Sequence, residues 1–360
     1  MPRMDSLSIR LNAITVRIRS DDVHFLRYAR AHFAPVLVED AGDPFLEVTF
    51  ARTRSEAGER DALAGCRKVG RDLFAGENRV VWRSVPYVPG LTLALNRTAE
   101  KLSVDASYRL HSTLRSRLRS VVSALSGGVG LRNQFFFELL YWIVYYPTFW
   151  LLRRRGVQVL HGGGIEIDGC GVVIAGAQGT GKSTLIAHLL PETGVLFLSD
   201  NMVLFDESAV FSCHEPVRFE ERLLSEVPGL RGCVKRINVR VPLGRVAFTI
   251  ARERSIDSMK AAVCIVPEMS CDETGVCAVT KEEIIARVAA FNALADEVRM
   301  FGVFEAALSP LARSTGGPLP GTTALDALLS RARCFVMNIR QGEDPRDTMR
   351  AILGIVRGSR

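Results

Sequence analysis

The stretch IEIDGCGVVIAGAQGTGKST, residues Ile165 to Thr184, decides the fold. Ile165–Ile167 and Gly171–Ala175 are apolar runs of strand length. The pair between them, Asp168-Gly169, is favoured where both turn residues need positive φ. The spacing predicts a β-hairpin whose second strand runs directly into a glycine-rich loop. Thr184–Leu190 then leaves the loop as an apolar-faced helix. Working outward, Val195–Leu198 reads as a short strand ending in Ser199-Asp200-Asn201. Met202–Phe205, Ala209–Ser212 and Ala261–Val266 read as further strands. Thr280 with Glu283 predicts a capping box opening a helix that runs to about Arg299. Gly316–Gly321 reads as a loop, Thr323–Arg331 as a helix and Cys334–Ile339 as a strand. Asp344-Pro345 starts the last helix with a cap and an N1 proline. Strands and helices mix throughout, which is the pattern of an α/β core.

The first half has another texture. Ala13–Ile18 and Phe45–Phe50 alternate as strands do, and Asp21–Phe33 between them has helical spacing. Val80–Val85, Leu91–Leu95 and Leu102–Asp105 form a strand-rich stretch, closed by the loop Ser126–Gly130. No recognisable chemistry lies here, so recognition or assembly is the expected work. Phe135–Leu152, FFFELLYWIVYYPTFWLL, is close to a membrane span in length. Glu138 and Pro147 interrupt it and it is rich in Phe, Trp and Tyr, so it reads as a buried helix ending near Pro147. The expected division is an α+β N-terminal domain over 1–134, an aromatic helical connector over 135–158 and an α/β domain over 159–360.

Charge and cysteine usage narrow the partners. Residues 1–160 carry 24 Lys+Arg against 15 Asp+Glu, and residues 161–360 carry 22 against 24, so the basic excess belongs to the first half. Arg115, Arg117 and Arg119 alternate, which spreads them around a helix as a solvated face. No aromatic residues interleave with them, so no nucleic-acid partner is expected, nor a membrane contact. The eight cysteines form no CxxC pair and lack histidines at zinc-ligand spacing. The N-terminus has no continuous apolar core of the secretory kind. Reduced thiols in the cytoplasm follow as the expectation. A homo-oligomer is left open.

Gly176-Ala177-Gln178-Gly179-Thr180-Gly181-Lys182-Ser183 fits G-x-x-x-x-G-K-S in full, followed by Thr184. Glycines let successive backbone N–H groups curl toward phosphate, and the following helix adds the positive end of its dipole. Lys182 supplies charge to the β and γ oxygens, and Ser183 a hydroxyl to magnesium. Asp200, 18 residues past Lys182 at a strand end, can hold the metal or take a proton from an attacking hydroxyl. Asn201 can coordinate, orient water or stabilise the turn. His161-Gly-Gly-Gly164 matches an oxyanion-hole motif, but that reading demands a G-x-S-x-G elbow, which the chain lacks. His161 is instead tied to the phosphate site, because it enters the hairpin that delivers the loop. ATP with Mg2+ is the expected ligand pair.

Together these residues resemble HPr kinase/phosphorylase, a P-loop core related to phosphoenolpyruvate carboxykinase. The likeness rests on the His-Gly pair, the hairpin leading into the P-loop, and the strand ending in Ser199-Asp200-Asn201. It spans about His161 to Phe205. The resemblance implies an HPr kinase-like P-loop core preceded by the α+β domain, with Lys182 and Ser183 on phosphate and magnesium. It implies Asp200 as the base that takes the proton of a substrate serine, with His161 close by. Asn201 stands where the family has a second aspartate. The function expected is a serine kinase acting on a protein or peptide. A small-molecule kinase of the same core, or a nucleotide-binding regulatory protein without phosphotransfer, are the alternatives. Arg218, Arg236 and Arg240 are candidates for a supplementary cation.

Overall fold

In a computed structural model, residues 4–40, 42–51, 63–88, 90–108, 129–240, 245–270, 274–312 and 322–358 are described. Arg115, Arg117, Arg119 and the loop 316–321 lie outside them. The chain is a mixed α/β protein that divides into two compact units. One unit takes Met1–Arg155, Asn238–Gly244 and Phe301–Gly316; the other takes Gly156–Ile237, Arg245–Met300 and Gly317–Arg360. The seven described cysteines are free thiols.

In the first unit the described strands are β1 Asp5–Leu11, β2 Ile14–Ser20, β3 Leu37–Val38, β4 Leu46–Ala51, β5 Arg67–Lys68, β6 Leu73–Ala75, β7 Arg79–Arg83, β8 Leu91–Thr98 and β9 Lys101–Tyr108. They form one sheet in the order β3-β1-β2-β4-β9-β8-β7-β6-β5. β2, β4 and β9 run parallel, and the other pairs are antiparallel. Alternation sets the buried face: Ile14, Val16 and Ile18 on β2, and Leu46, Val48 and Phe50 on β4. The helix Val23–His32 crosses between β2 and β4, with Asp22 as its N-cap accepting from the amides of His24 and Phe25.

The aromatic segment belongs to this unit. Phe136 packs on Phe25 and Tyr28, Tyr145 on Phe33, and Trp142 on Trp82. The span Phe135–Arg153 is long and apolar enough to cross a membrane, yet 89% of its apolar window is buried inside the fold. The expectation that this helix ends near Pro147 is corrected. A helix over Val129–Leu140 passes into a π-helical turn at Tyr141–Tyr145 and continues as Tyr146–Arg153. The amide of Tyr146 reaches the carbonyl of Tyr141, five residues back. That wider turn makes room for the Pro147 ring and its missing N–H in a helix that would otherwise break.

The second unit is built on β10 Gln158–Ile167, β11 Cys170–Ala175, β12 Val195–Ser199, β13 Met202–Phe205, β14 Val210–Ser212, β15 Val217–Phe219, β16 Val234–Arg240 (whose residues from Asn238 on are counted with the first unit), β17 Val246–Ile250, β18 Ser258–Met259, β19 Ala261–Ser270, β20 Gly275–Ala278 and β21 Arg333–Arg340. The order β18-β14-β13-β10-β11-β19-β21-β20 forms its main sheet, and β12 also pairs with β10. β10 and β11 make the hairpin, with Asp168 at φ +50° and Gly169 at +81°. β11 lies parallel to β19, and β19 to β21. Val172 and Ile174 enter one core with Leu185, Ile186, Leu189 and Ile352. Val173 and Ala175 enter the other with Val266, Ile284 and Leu325. The single helix expected from Thr280 to about Arg299 is corrected to two, Lys281–Leu294 and Asp296–Ala307. Ala295 is extended, at φ −68° and ψ 126°, and interrupts the backbone ladder between them. Thr280 caps the first by accepting from the amide of Glu283.

Candidate functional site

The loop 176–183 lies between β11 and the helix Lys182–Leu189, here called the P-loop helix. Gly179 at φ +88° and Gly181 at +84° take left-handed conformations that a side chain would strain. Thr180 donates its hydroxyl to the carbonyl of Ala177 at 3.0 Å and fixes the curl. Gln178 is exposed on the loop's outside. The Lys182 ammonium folds under the loop and donates to the carbonyls of Gly176 at 2.9 Å and Ala177 at 2.7 Å. It is only 6% exposed. Burial lowers its pKa to about 8, against the raising fields of Asp200 and Glu297.

Strand pairing explains why Asp200 meets this loop. β13 pairs with the first part of β10, His161 opposite Met202, and β12 with the last part, Gly164 opposite Ser199. Both strands follow the same edge of β10 in one continuous register, and a kink interrupts the run between them. The kink is Asp200-Asn201, with Asn201 at φ +71° and its carbonyl accepting from the amide of Gly162 at 3.1 Å. β11 flanks the other edge of β10, with Ala175 opposite Gly162. A strand end and a loop on opposite sides of one strand are thus brought to the same level.

Ser183 donates its hydroxyl to Oδ1 of Asp200 at 3.0 Å. Asp200 is buried, and burial raises its pKa against the lowering influence of Ser183, Arg218 and Lys182. His161 is buried too. Its pKa falls to about 4, first from burial and then from Lys182, so the ring is neutral at pH 7. Its Nδ1 has no hydrogen-bond partner among the described residues. Its backbone amide donates to Oδ1 of Asn292 at 2.8 Å. Asn201 turns away from Ser183 to Glu215, donating Nδ2 to Oε2 at 3.0 Å.

The candidate cations separate. Arg218 pairs with Glu215 at 3.1 Å and with Glu297 at 4.0 Å, and its field acts on both Asp200 and His161. Arg236 is an exposed partner of Glu221 at 2.6 Å, on the surface. The side chain of Arg240 lies outside the described residues. Three contributors were missed in the sequence: Glu215, whose side chain is 1% exposed, Glu297 and Asn292. Glu215 stands three residues before Arg218, a weak signal; Glu297 and Asn292 reach the site only through tertiary packing.

The three glycines after His161 have a packing role. A Cβ on Gly162 would stand 2.8 Å from the carbonyl oxygen of Ile174, and one on Gly163 would collide with Cδ1 of Ile186 on the P-loop helix. Glycine here lets the neighbouring strand and the helix close on β10.

The donor set fits a phosphate chain with a hard cation. Left-handed glycines, a helix N-terminus and an ammonium converge on one cradle, and the nearest metal-capable groups are the oxygens of Ser183 and Asp200. No group of three or more His, Cys, Asp or Glu placed to hold a metal occurs among the described residues. Magnesium is ordinarily held by one or two carboxylates completed by phosphates and water, which agrees with so small a set.

No protein-family model matches the chain. No curated protein matches it either. Among solved structures, the HPr(Ser) kinase/phosphatase from Coxiella burnetii aligns over 56% of this chain and 98% of that chain, at 8% identity and a TM-score of 0.27. A superposition at that score does not distinguish a shared fold from a few elements in common.

Proposed function

We propose that this chain is an ATP- and Mg2+-dependent phosphotransferase that passes the γ-phosphoryl group to a hydroxyl, that of a serine on a protein or peptide. The observation that carries the reading is the hydrogen bond from half-buried Ser183 to buried Asp200, at 3.0 Å, beside the P-loop lysine. A carboxylate whose proton affinity is raised by burial suits a general base better than an exposed one. In the transfer, the acceptor oxygen forms its bond to the γ-phosphorus as the bond to the β–γ bridging oxygen breaks. Asp200 takes the hydroxyl proton, and ADP leaves. Lys182 neutralises charge that develops on the transferred group. Arg218, held between Glu215 and Glu297, adds a second positive field on Asp200. Ser183 and Asp200 would hold magnesium together with the phosphates, and the metal would supply charge neutralisation. His161, neutral at pH 7, leaves Nδ1 to make a hydrogen bond without adding charge.

The test is transfer from γ-labelled ATP with magnesium into a cell lysate split into macromolecular and small-molecule fractions. Label in protein or peptide is expected. Lys182→Ala abolishes transfer, and Asp200→Asn abolishes transfer while sparing much of the ATP binding. Label confined to metabolites moves the acceptor to a small molecule. No label in either fraction, together with tight ATP binding, ends the kinase reading; normal transfer by Asp200→Asn removes Asp200 as base.

A further inference from the structure

Beside the first turn of the P-loop helix lies a cavity of about 440 Å³. Its walls include Ser183 and Thr184, His188 further along the same helix, and Arg245, Glu343 and Arg346. That volume falls within the roughly 300–1,000 Å³ of small-ligand sites. Arg218 reaches the lining from the Asp200 side, whereas His161, Lys182, Asp200 and Asn201 are not part of it. The cavity therefore meets the phosphate cradle past Lys182. A P-loop lysine reaches the β and γ phosphates while the loop backbone holds the α and β. A cavity on the Ser183–Thr184 side adjoins the end of the chain from which the nucleoside hangs.

Glu343 singles out what enters it. It closes a tight turn from β21, its amide donating to the carbonyl of Arg340 at 3.2 Å, with Gly342 at φ +85° as the third residue. Asp344 follows as N-cap of the last helix, Pro345–Arg357. Oε2 of Glu343 is shielded from solvent and has no hydrogen-bond partner among the described residues. A buried carboxylate oxygen calls for a donor. Arg245 and Arg346, exposed residues of the same lining, form no ion pair among the described residues. An acceptor and two uncommitted guanidinium groups in one cavity match a sugar bearing vicinal hydroxyls joined to an α-phosphate. Carboxylates recur as partners of ribose hydroxyls for this reason.

We propose that this cavity is the nucleoside site, in which Glu343 accepts from the ribose hydroxyls while Arg245 and Arg346 face the α-phosphate. The inference rests on the nucleotide-binding reading above and adds a ribose requirement to it. Calorimetric binding to the full chain, with magnesium present, separates the two. Inorganic triphosphate reports the phosphate cradle alone; ATP and 2′,3′-dideoxy-ATP report the ribose. Wild type is expected to bind ATP about tenfold more tightly than 2′,3′-dideoxy-ATP, equal to about 1.4 kcal/mol. Glu343→Ala closes that gap to under about threefold and leaves inorganic triphosphate binding unchanged, which also shows that the variant is folded. Equal wild-type affinities for ATP and the dideoxy analogue overturn the ribose site alone, as does a gap that survives in Glu343→Ala. A wild-type chain that binds neither ATP nor inorganic triphosphate overturns the phosphate cradle, and this inference with it.

Discussion

Two glycine runs lie side by side in the second unit, Gly162–Gly164 on β10 and Gly176–Gly181 at the end of β11, and they use the missing Cβ in opposite ways. On β10 the glycines make room: Gly162 lets the carbonyl of Ile174 approach, and Gly163 admits Ile186. In the loop, Gly179 and Gly181 have open space around a would-be Cβ but sit at positive φ. Each run is joined to one buried ionisable residue, His161 or Lys182. Burial depresses both, yet the histidine ends neutral at pH 7 and the lysine largely charged. One run is therefore a packing device that lets its neighbours close on β10, and the other gives the loop its left-handed curl.

The largest effect expected is at Lys182. Lys182→Met weakens ATP binding by roughly 100-fold or more, about 2.7 kcal/mol, yet the unliganded protein melts at a higher temperature, because a buried ammonium has been replaced by an apolar chain of similar length. Binding and thermal melting of the same variant check both halves; a lower melting temperature would remove the burial argument. His161 comes next. Unfolded, its ring takes a proton near pH 6.5, and folded near about 4. Between those values the unfolded chain holds the extra proton, so stability falls as pH drops from about 6.5 to about 4, by up to about 3 kcal/mol. Denaturant titrations across that window should show the slope in wild type and lose most of it in His161→Gln.

The glycines themselves sharpen the contrast. Gly162→Ala forces a Cβ against a backbone carbonyl fixed between two strands, and overpacking of this kind costs about 1–3 kcal/mol. Gly179→Ala meets no atom but holds a left-handed residue, at a cost of about 1 kcal/mol. Chemical denaturation ranks the two. Inorganic triphosphate binding should rank them in reverse, with Gly179→Ala losing more affinity. If both measures fall together at both positions, the division between packing and binding glycines is wrong.

What was legible in the sequence tracks how local the signal was. The hairpin turn at Asp168-Gly169, a glycine-rich loop between a strand and a helix, and the caps at Thr280 and Asp344 are written in consecutive residues, and the structure has each. Asp200 could be placed at a strand end, but not the reason it reaches Ser183, which is the pairing of β12 and β13 along one edge of β10. Glu297 was hidden because a continuous helix was expected through Ala295, where the backbone is extended. Glu215 and Asn292 are ordinary polar residues until folding brings them to Asn201 and His161. Glu343 lay inside a turn whose sequence, Arg340-Gln-Gly-Glu343, announces its shape and nothing of the cavity it walls.

The π turn at Tyr141–Tyr145 has a consequence for how this chain can vary. Such a turn holds one residue more than an α-helix needs over the same rise. Deleting one residue there would restore the regular ladder with the flanking residues still on their present faces, and would set the Pro147 ring against a carbonyl one turn back. Phe149, two residues beyond the proline, now packs on Tyr145, Tyr146 and Phe301, so a clash at Pro147 falls inside that aromatic cluster. The extra residue and the proline are thus coupled in one direction: the turn can give up its extra residue only where Pro147 is replaced as well.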